Sequence, residues 1–132
     1  MECIIEGYLN PNNNVDLFKT VNNLDSYDDI KYVFLKIIDK EYIDKLKNIL
    51  AQWDKYEKLN IPVYYSHEGG LLVKFTTRKL IKNMCNNMLK TPRKEWFNKK
   101  YKVRFGIKKY AFKSEDNLIQ GIKFNLIQLN LL

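Results

Sequence analysis

The chain has 132 residues, 45% of them hydrophobic and 29% charged, which predicts one globular domain over residues 1–132 and excludes a disordered chain. No apolar run reaches the roughly 18 residues of a membrane-spanning helix. The N-terminus lacks the basic and apolar regions of a signal peptide. We therefore expect an intracellular protein, in the cytoplasm or nucleus, in which Cys3 and Cys85 are buried free thiols.

The formal net charge of +8 is unevenly distributed along the chain. Residues 1–70 carry 8 Lys/Arg and 12 Asp/Glu, a net charge of −4, whereas residues 71–132 carry 15 and 3, a net charge of +12. A general enrichment in lysine would keep the surface soluble but would not polarise the two halves. Because a basic surface attracts polyanions, the C-terminal half is the expected binding region.

The first part of the chain predicts two strands. Met1–Leu9 is the first, and Asn10–Asn14 predicts a turn, because proline fixes φ and asparagine tolerates left-handed backbone. Val15–Val21 is compatible with a short strand or one helical turn, and Asn22–Asp29 is a polar loop by composition. Ile30–Ile38 is rich in β-branched and aromatic residues, which predicts a central strand buried on both faces.

A helix and a hairpin are predicted next. Lys40–Leu59 has apolar residues at helical spacing, after an N-cap at Asp39. Val63–Ser66 and Leu71–Thr76 predict a hairpin, since Gly69-Gly70 between them allows the positive φ of a tight turn.

Two further helices are predicted before the C-terminal region. Thr77–Leu89 has an apolar stripe at helical spacing. Thr91-Pro92 opens a short third helix that ends at Asn98, with either Trp96 or Phe97 anchoring it on the core.

Lys99–Leu132 predicts one long β-hairpin. Apolar and basic residues alternate along the first strand, Tyr101–Lys113. A polar turn follows at Ser114–Asn117, and the second strand returns through Leu118–Leu132. A bulge at Gly106 would exchange the two faces of the residues that follow it.

This order of elements predicts an α+β fold with a mainly antiparallel, curved sheet, two amphipathic helices and a long C-terminal β-hairpin. Two arrangements satisfy it. One is a partly closed barrel like the oligonucleotide-binding (OB) fold, and the other is a curved open sheet backed by the two helices.

The expected binding residues are cations and aromatic rings in and before the first strand of this hairpin. If Val103, Phe105 and Ile107 point into the core, the residues that alternate with them lie on the outer face. The predicted nucleic-acid-binding set is Arg93, Lys94, Lys99, Lys100, Lys102, Arg104, Lys108, Tyr110 and Phe112. Cations hold a phosphate backbone while rings stack on bases. The alternative is that the cations only solubilise the sheet and the two rings pack under a loop.

Motifs for catalysis, cofactors or metals are not found. His67 is the only histidine, and Gly69-Gly70 is not followed by the Lys-Ser/Thr pair of a phosphate-binding loop. Asp25, Asp28 and Asp29 lack the glycine and distal glutamate of a calcium loop. The sequence therefore predicts a protein that is not an enzyme and that needs neither a cofactor nor a metal ion.

Two functions fit these observations. The first is sequence-nonspecific binding of single-stranded nucleic acid, with DNA favoured over RNA. A single strand is favoured over a duplex because exposed rings stack on unpaired bases and no groove-reading helix is recognised. The alternative is a protein-interaction module whose basic half docks an acidic protein partner. Ile127, Leu129 and Leu131 continue a core-like alternation to the chain end, which predicts a homo-oligomer formed through the C-terminal strand.

Overall fold

A computed structural model describes residues 2–14, 30–53, 59–66, 69–79 and 90–132. Over these residues the chain forms six strands, one α-helix and two short 3₁₀ turns. In chain order they are β1 (Glu2–Leu9), a 3₁₀ turn (Pro11–Asn13), β2 (Lys31–Ile37), α1 (Lys40–Trp53), β3 (Val63–Tyr65), β4 (Leu71–Thr77), a 3₁₀ turn (Arg93–Glu95), β5 (Lys99–Ser114) and β6 (Asn117–Leu131).

The six strands form one sheet that curves into a nearly closed ring. Their order is β2-β1-β5-β6-β4-β3, and β2 also pairs with β4, so that five strands close on themselves. Among the described strands, the pairings are antiparallel except that of β4 with β6. These two strands run parallel, and Phe75 is opposite Phe124 in their register. A five-stranded, partly open barrel is the OB architecture, so of the two predicted arrangements the chain adopts the barrel.

The predicted strand Ile30–Ile38 is present as β2, but it is buried on one face only. Val33, Leu35 and Ile37 are fully buried, whereas Tyr32 is 43% exposed. A barrel strand points alternate side chains inward and outward, so half of this apolar run lies on the outer surface. The prediction that both faces are buried is wrong, and the reason is that ring closure leaves this outer face uncovered at Tyr32.

The long C-terminal hairpin is confirmed. β5 and β6 pair almost throughout, around a turn at Glu115 and Asp116, and Glu115 has a φ of 55°. The predicted inward residues Val103 and Phe105 are fully buried, and Ile107 packs against the core.

The bulge in this hairpin lies on β6 instead of at Gly106. The register shifts between Arg104 and Phe105, and the extra residue is Ile127 on the opposite strand. Inward positions of β6 therefore change from even-numbered residues to odd-numbered ones such as Leu129, while β5 keeps its alternation.

Three phenylalanines from neighbouring strands form the centre of the core. Phe75 of β4, Phe105 of β5 and Phe124 of β6 are fully buried. Their ring centroids are 4.7, 5.1 and 6.1 Å apart. These separations suit the inclined contacts that aromatic pairs prefer, and they tie the parallel strand pair to the C-terminal hairpin.

The first helix starts where the sequence predicts. The carbonyl of Asp39 accepts the first backbone hydrogen bonds of α1, at 3.1 Å, and Leu46 and Ile49 are its buried residues. Leu59, the predicted last residue of this helix, is not helical, and residues 54–58 before it lie outside the described residues.

The β3–β4 hairpin is confirmed, with Gly69 and Gly70 at φ values of +89° and +80°.

The second predicted helix does not begin at Thr77, because Thr77 is the last residue of β4 and pairs with Lys31. Residues 80–89 of that helix lie outside the described residues.

The third predicted helix is reduced to the 3₁₀ turn at Arg93–Glu95, too short for a regular helix. Trp96 is its anchor, as the sequence allows: the side chain is 6% exposed, and its Nε1 donates to the carbonyl of Thr91 at 3.0 Å. The hydroxyl of the buried Tyr101 in turn donates to the carbonyl of Trp96 at 2.8 Å.

Other predictions fall outside the described residues. They concern the ambiguous segment Val15–Val21, the polar loop Asn22–Asp29, His67 and the thiol of Cys85. Cys3 is a buried free thiol, as predicted.

Candidate nucleic-acid interface

A groove of about 360 Å³ lies on the outer surface of the barrel, bounded by β2, β3, β4 and the distal half of the β5–β6 hairpin. Residues 60–62 form another part of its wall. Four aromatic rings and two lysines line this aromatic groove: Tyr32, Tyr64, Tyr110, Phe112, Lys74 and Lys123. Rings and cations together are the combination that binds bases and phosphates.

The rings of the groove are accessible from solvent. Tyr32 is 43% exposed, Tyr64 is 45% exposed and Phe112 is 53% exposed. Single exposed apolar residues are common on protein surfaces, but several rings in one concave site are typical of a binding surface.

Two of the rings are arranged as consecutive platforms on one strand. Tyr110 and Phe112 are two residues apart on β5, so their side chains leave the same face. Their centroids are 6.2 Å apart, with the ring planes inclined by only 19°. Tyr110 lies opposite Gly121 of β6, where the absence of a side chain leaves room for the ring.

Lys74 is positioned beside another ring of the groove. Its Nζ lies 5.1 Å from the centroid of the Tyr32 ring, within the range of a cation–π interaction. In the β2–β4 ladder, Lys74 is opposite Phe34 and Tyr32 is opposite Thr76, so the two side chains are diagonal neighbours. A cation and an aromatic ring therefore lie side by side in the lining of the groove.

Part of the predicted binding set lies at the groove. Tyr110 and Phe112 line it, and Lys108 lies directly opposite Lys123, another lining residue. The four side chains share the outer face of the hairpin, because opposite residues in an antiparallel ladder point to the same side.

Lys102 and Arg104 lie on the same outer face of β5 and are exposed, but they are distant from the groove. At about 3.3 Å per residue, Lys102 is roughly 33 Å along the strand from Phe112. Arg104 Nε is 3.9 Å from Glu2 Oε2, a solvent-exposed pair that contributes little to stability.

Lys100 takes part in a network between β5, β1 and the start of α1. Its Nζ is 2.7 Å from Asp39 Oδ2 and 3.8 Å from Glu6 Oε1, and Glu6 also accepts the hydroxyl of Tyr42. The hydrogen bond to Asp39 raises the pKa of Lys100 above its usual value. Its charge is therefore largely compensated by its neighbours.

The remaining three predicted cations precede or begin β5. Lys94 and Lys99 are exposed, and Arg93 is the first residue of the second 3₁₀ turn.

Over the described residues, no group of three or more His, Cys, Asp or Glu side chains is placed to hold a metal ion. No helix of the described ranges has the length and hydropathy needed to cross a membrane.

Sequence reasoning missed four of the six aromatic and basic residues that line the groove, namely Tyr32, Tyr64, Lys74 and Lys123. The signal for Lys74 was available, since it alternates with Val73 and Phe75 and must therefore face outward. The sequence does not indicate which outward-facing residues lie next to one another, because that depends on the pairing of β2 with β4.

Neither models of protein families nor the curated proteins give a match to this sequence. Among solved structures, the fold is similar to that of gp2.5, a single-stranded DNA binding protein encoded by bacteriophage T7. The TM-score is 0.59 at 15% sequence identity, and the match covers 99% of this chain and 86% of that chain. At this identity the likeness establishes a shared fold over nearly the whole chain.

Proposed function

We propose that the protein binds single-stranded nucleic acid, DNA rather than RNA, through the aromatic groove. The observation that carries the proposal is the gathering of four rings and two lysines in one groove on the outer barrel surface. In OB folds the oligonucleotide crosses the face of the second and third barrel strands and touches the loop between the fourth and fifth. Here β2, β4 and the β5–β6 turn hold those places in the barrel.

Each part of the groove has a separate role in this proposal. Phe112 and the neighbouring Tyr110 stack on successive bases, each stack contributing roughly 1–3 kcal/mol. Lys74 and Lys123 contact the phosphates between those bases. Because every base has a π face, stacking is tolerant of sequence, and because duplex bases cover one another's faces, it favours an unpaired strand.

The predicted cations outside the groove extend the electrostatic path. Lys102 and Arg104 continue along the outer face of β5 toward Lys94 and Lys99, all exposed. Arg93 belongs to the same basic segment. We assign them to attraction of the phosphate backbone, with Lys100 contributing less because Asp39 and Glu6 compensate its charge.

The choice of DNA is supported by the likeness to gp2.5, which is described as a single-stranded DNA binding protein. The alternative, docking of an acidic protein, requires the cations but gives no reason for four rings in one groove. The rings therefore favour nucleic acid.

The test is a fluorescence-anisotropy titration with labelled oligo-dT, oligo-rU and duplex DNA at two salt concentrations. We expect oligo-dT to bind most tightly, with log K falling against log salt by about 0.7 for each phosphate contact. Binding that is undetectable at low salt, or that does not respond to salt, would refute the proposal. Tighter binding of the duplex would refute the stacking role of the groove.

A further inference from the structure

A second cavity, of about 600 Å³, lies beyond the aromatic groove on the outer surface of β2, β3 and β4. Tyr64 lines both cavities, so they are neighbours. The second one is distinguished by side-chain amides, and we term it the asparagine pocket. The residues that define it are Asn10, Asn12, Asn13, Asn98, Lys36 and Tyr65.

The strand register gives the path from one cavity to the other. In the β2–β4 ladder, Tyr32 is opposite Thr76 and Lys36 is opposite Leu72, while Tyr64 of β3 is also opposite Leu72. The four residue steps from Thr76 to Leu72 span about 13 Å. A nucleic-acid strand with stacked bases advances about 3.4 Å per nucleotide, so roughly four nucleotides cover this distance.

The wall of the pocket is fixed to β2 by one buried side chain. Asn14 is 2% exposed, and its Nδ2 donates to the carbonyls of Asn10 and Phe34 at 2.8 and 3.0 Å. Its Oδ1 accepts the backbone N–H of Phe34 at 2.9 Å. The Asn14 amide thus pairs with β2 as a neighbouring strand would, and it holds the turn that bears the exposed Asn12 and Asn13.

The chemistry of this pocket differs from that of the aromatic groove. A carboxamide presents a donor and an acceptor side by side, which matches the edges of unpaired bases. A carboxamide carries no charge, so it lacks the long-range attraction to phosphate that a lysine has, and the pocket combines four asparagines with a single lysine. Base edges, and not the backbone, are the part of a strand that such a lining distinguishes.

We propose that the asparagine pocket receives one unpaired base from the strand bound in the aromatic groove and recognises it by its hydrogen-bonding edge. The inference rests on the proposed function and adds to it a preference for particular bases at one end of the site. Stacking on the rings remains tolerant of sequence, whereas the amides discriminate.

The experiment compares the full chain with its Asn12→Ala/Asn13→Ala variant. The matched control is Asn48→Ala/Gln52→Ala, which removes two exposed amides from α1. Labelled dA, dC and dT homopolymers of about 12 nucleotides, within the span of an OB fold, are titrated by anisotropy. We expect the unaltered chain and the control to bind the best homopolymer at least about fivefold more tightly than the worst, the discrimination of one well-formed amide–base pair.

In the Asn12→Ala/Asn13→Ala variant this ratio should fall toward one, while the salt slope and the thermal midpoint stay unchanged. If that variant unfolds, the single Asn13→Ala change replaces it and should lower the ratio in the same direction. Equal affinities in the unaltered chain, or an unchanged ratio in the variant, would overturn the inference and leave binding in the aromatic groove intact. Failure to bind any homopolymer would overturn the proposed function itself, and this inference with it.

Discussion

The ring of Tyr110 rests on Gly121 of the neighbouring strand so closely that a Cβ at position 121 would be 2.5 Å from the tyrosine hydroxyl oxygen. The same Cβ would be 2.6 Å from the backbone carbonyl oxygen of Asn60. Asn60 borders the groove and pairs with β6, accepting the N–H of Ile122 at 2.9 Å. The glycine thus lets a ring and a backbone segment approach β6 at one point.

The Gly121→Ala variant should lose both stability and affinity. The methyl group displaces Tyr110 from the groove and presses on the Asn60 backbone, and overpacking of this kind costs about 1–3 kcal/mol in the free energy of unfolding. Urea unfolding and oligo-dT titration measure the two effects. In a Tyr110→Ala background the same change should cost less, because one of the two clashes is gone, and strictly additive effects would contradict this account.

Phe112→Ala should weaken oligo-dT binding without destabilising the fold. The ring is 53% exposed, so little core packing is removed, while a base stack worth roughly 1–3 kcal/mol disappears. The salt slope should stay the same, since no phosphate contact changes. Leu118→Ala, a truncation of an equally exposed side chain outside the groove lining, is the control. A large fall in melting temperature with unchanged affinity would make Phe112 a structural residue.

Removal of lysines should change the salt dependence. Lys74→Ala/Lys123→Ala should weaken oligo-dT binding and flatten the slope of log K against log salt by about 0.7 for each phosphate that the variant no longer binds. Lys102→Ala/Arg104→Ala should act in the same direction if the phosphate path continues along β5.

The control for both double variants is Lys40→Ala/Lys47→Ala on α1, which lowers the net charge equally at exposed positions. It should reduce affinity only slightly, because the groove and its phosphate-binding lysines are unchanged. If all the double variants flatten the slope alike, net charge and not a defined site governs binding.

Stability should fall at high pH through Tyr42. The hydrogen bond to Glu6 raises the pKa of Tyr42 to about 12 from its ordinary value of 10.0. The folded chain therefore holds the phenol proton more tightly than the unfolded chain. This contribution is complete below pH 10 and is lost as the pH rises from 10 to about 12.

Urea unfolding of the unaltered chain and Tyr42→Phe at several pH values measures this contribution. The stability difference between them should be constant up to about pH 9 and should shrink above pH 10. Tyr65→Phe, at a side chain 78% exposed, is the control. A difference that persists unchanged at the highest pH would contradict the assignment.

Self-association through the end of β6 remains a prediction. Deleting Gln128–Leu132 is a poor test, because Leu129 is fully buried and the N–H of Leu132 bonds the carbonyl of Lys100 at 3.0 Å. Leu132→Lys is better, since that side chain is 61% exposed. Light scattering should show a dimer or larger assembly for the unaltered chain and a smaller species for the variant. A monomer in the unaltered chain would rule the prediction out.

The sequence by itself determined the local elements and their faces. Alternation along Tyr101–Lys113 predicted both the buried Val103 and Phe105 and the outward direction of Tyr110, and the turn at Ser114–Asn117 followed from its polar residues. Periodicity carries this information because inward and outward positions of one strand are two residues apart.

Tertiary structure alone decided which of these faces meet. The closure of β2 on β4 and the parallel pairing of β4 with β6 bring Tyr32, Tyr64 and Lys74 to the distal hairpin with Phe112. No periodicity within one element reports a pairing between strands so far apart in the chain. The groove exists because the barrel closes, and barrel closure depends on the combined packing of all its strands on a shared core, the three phenylalanine rings included.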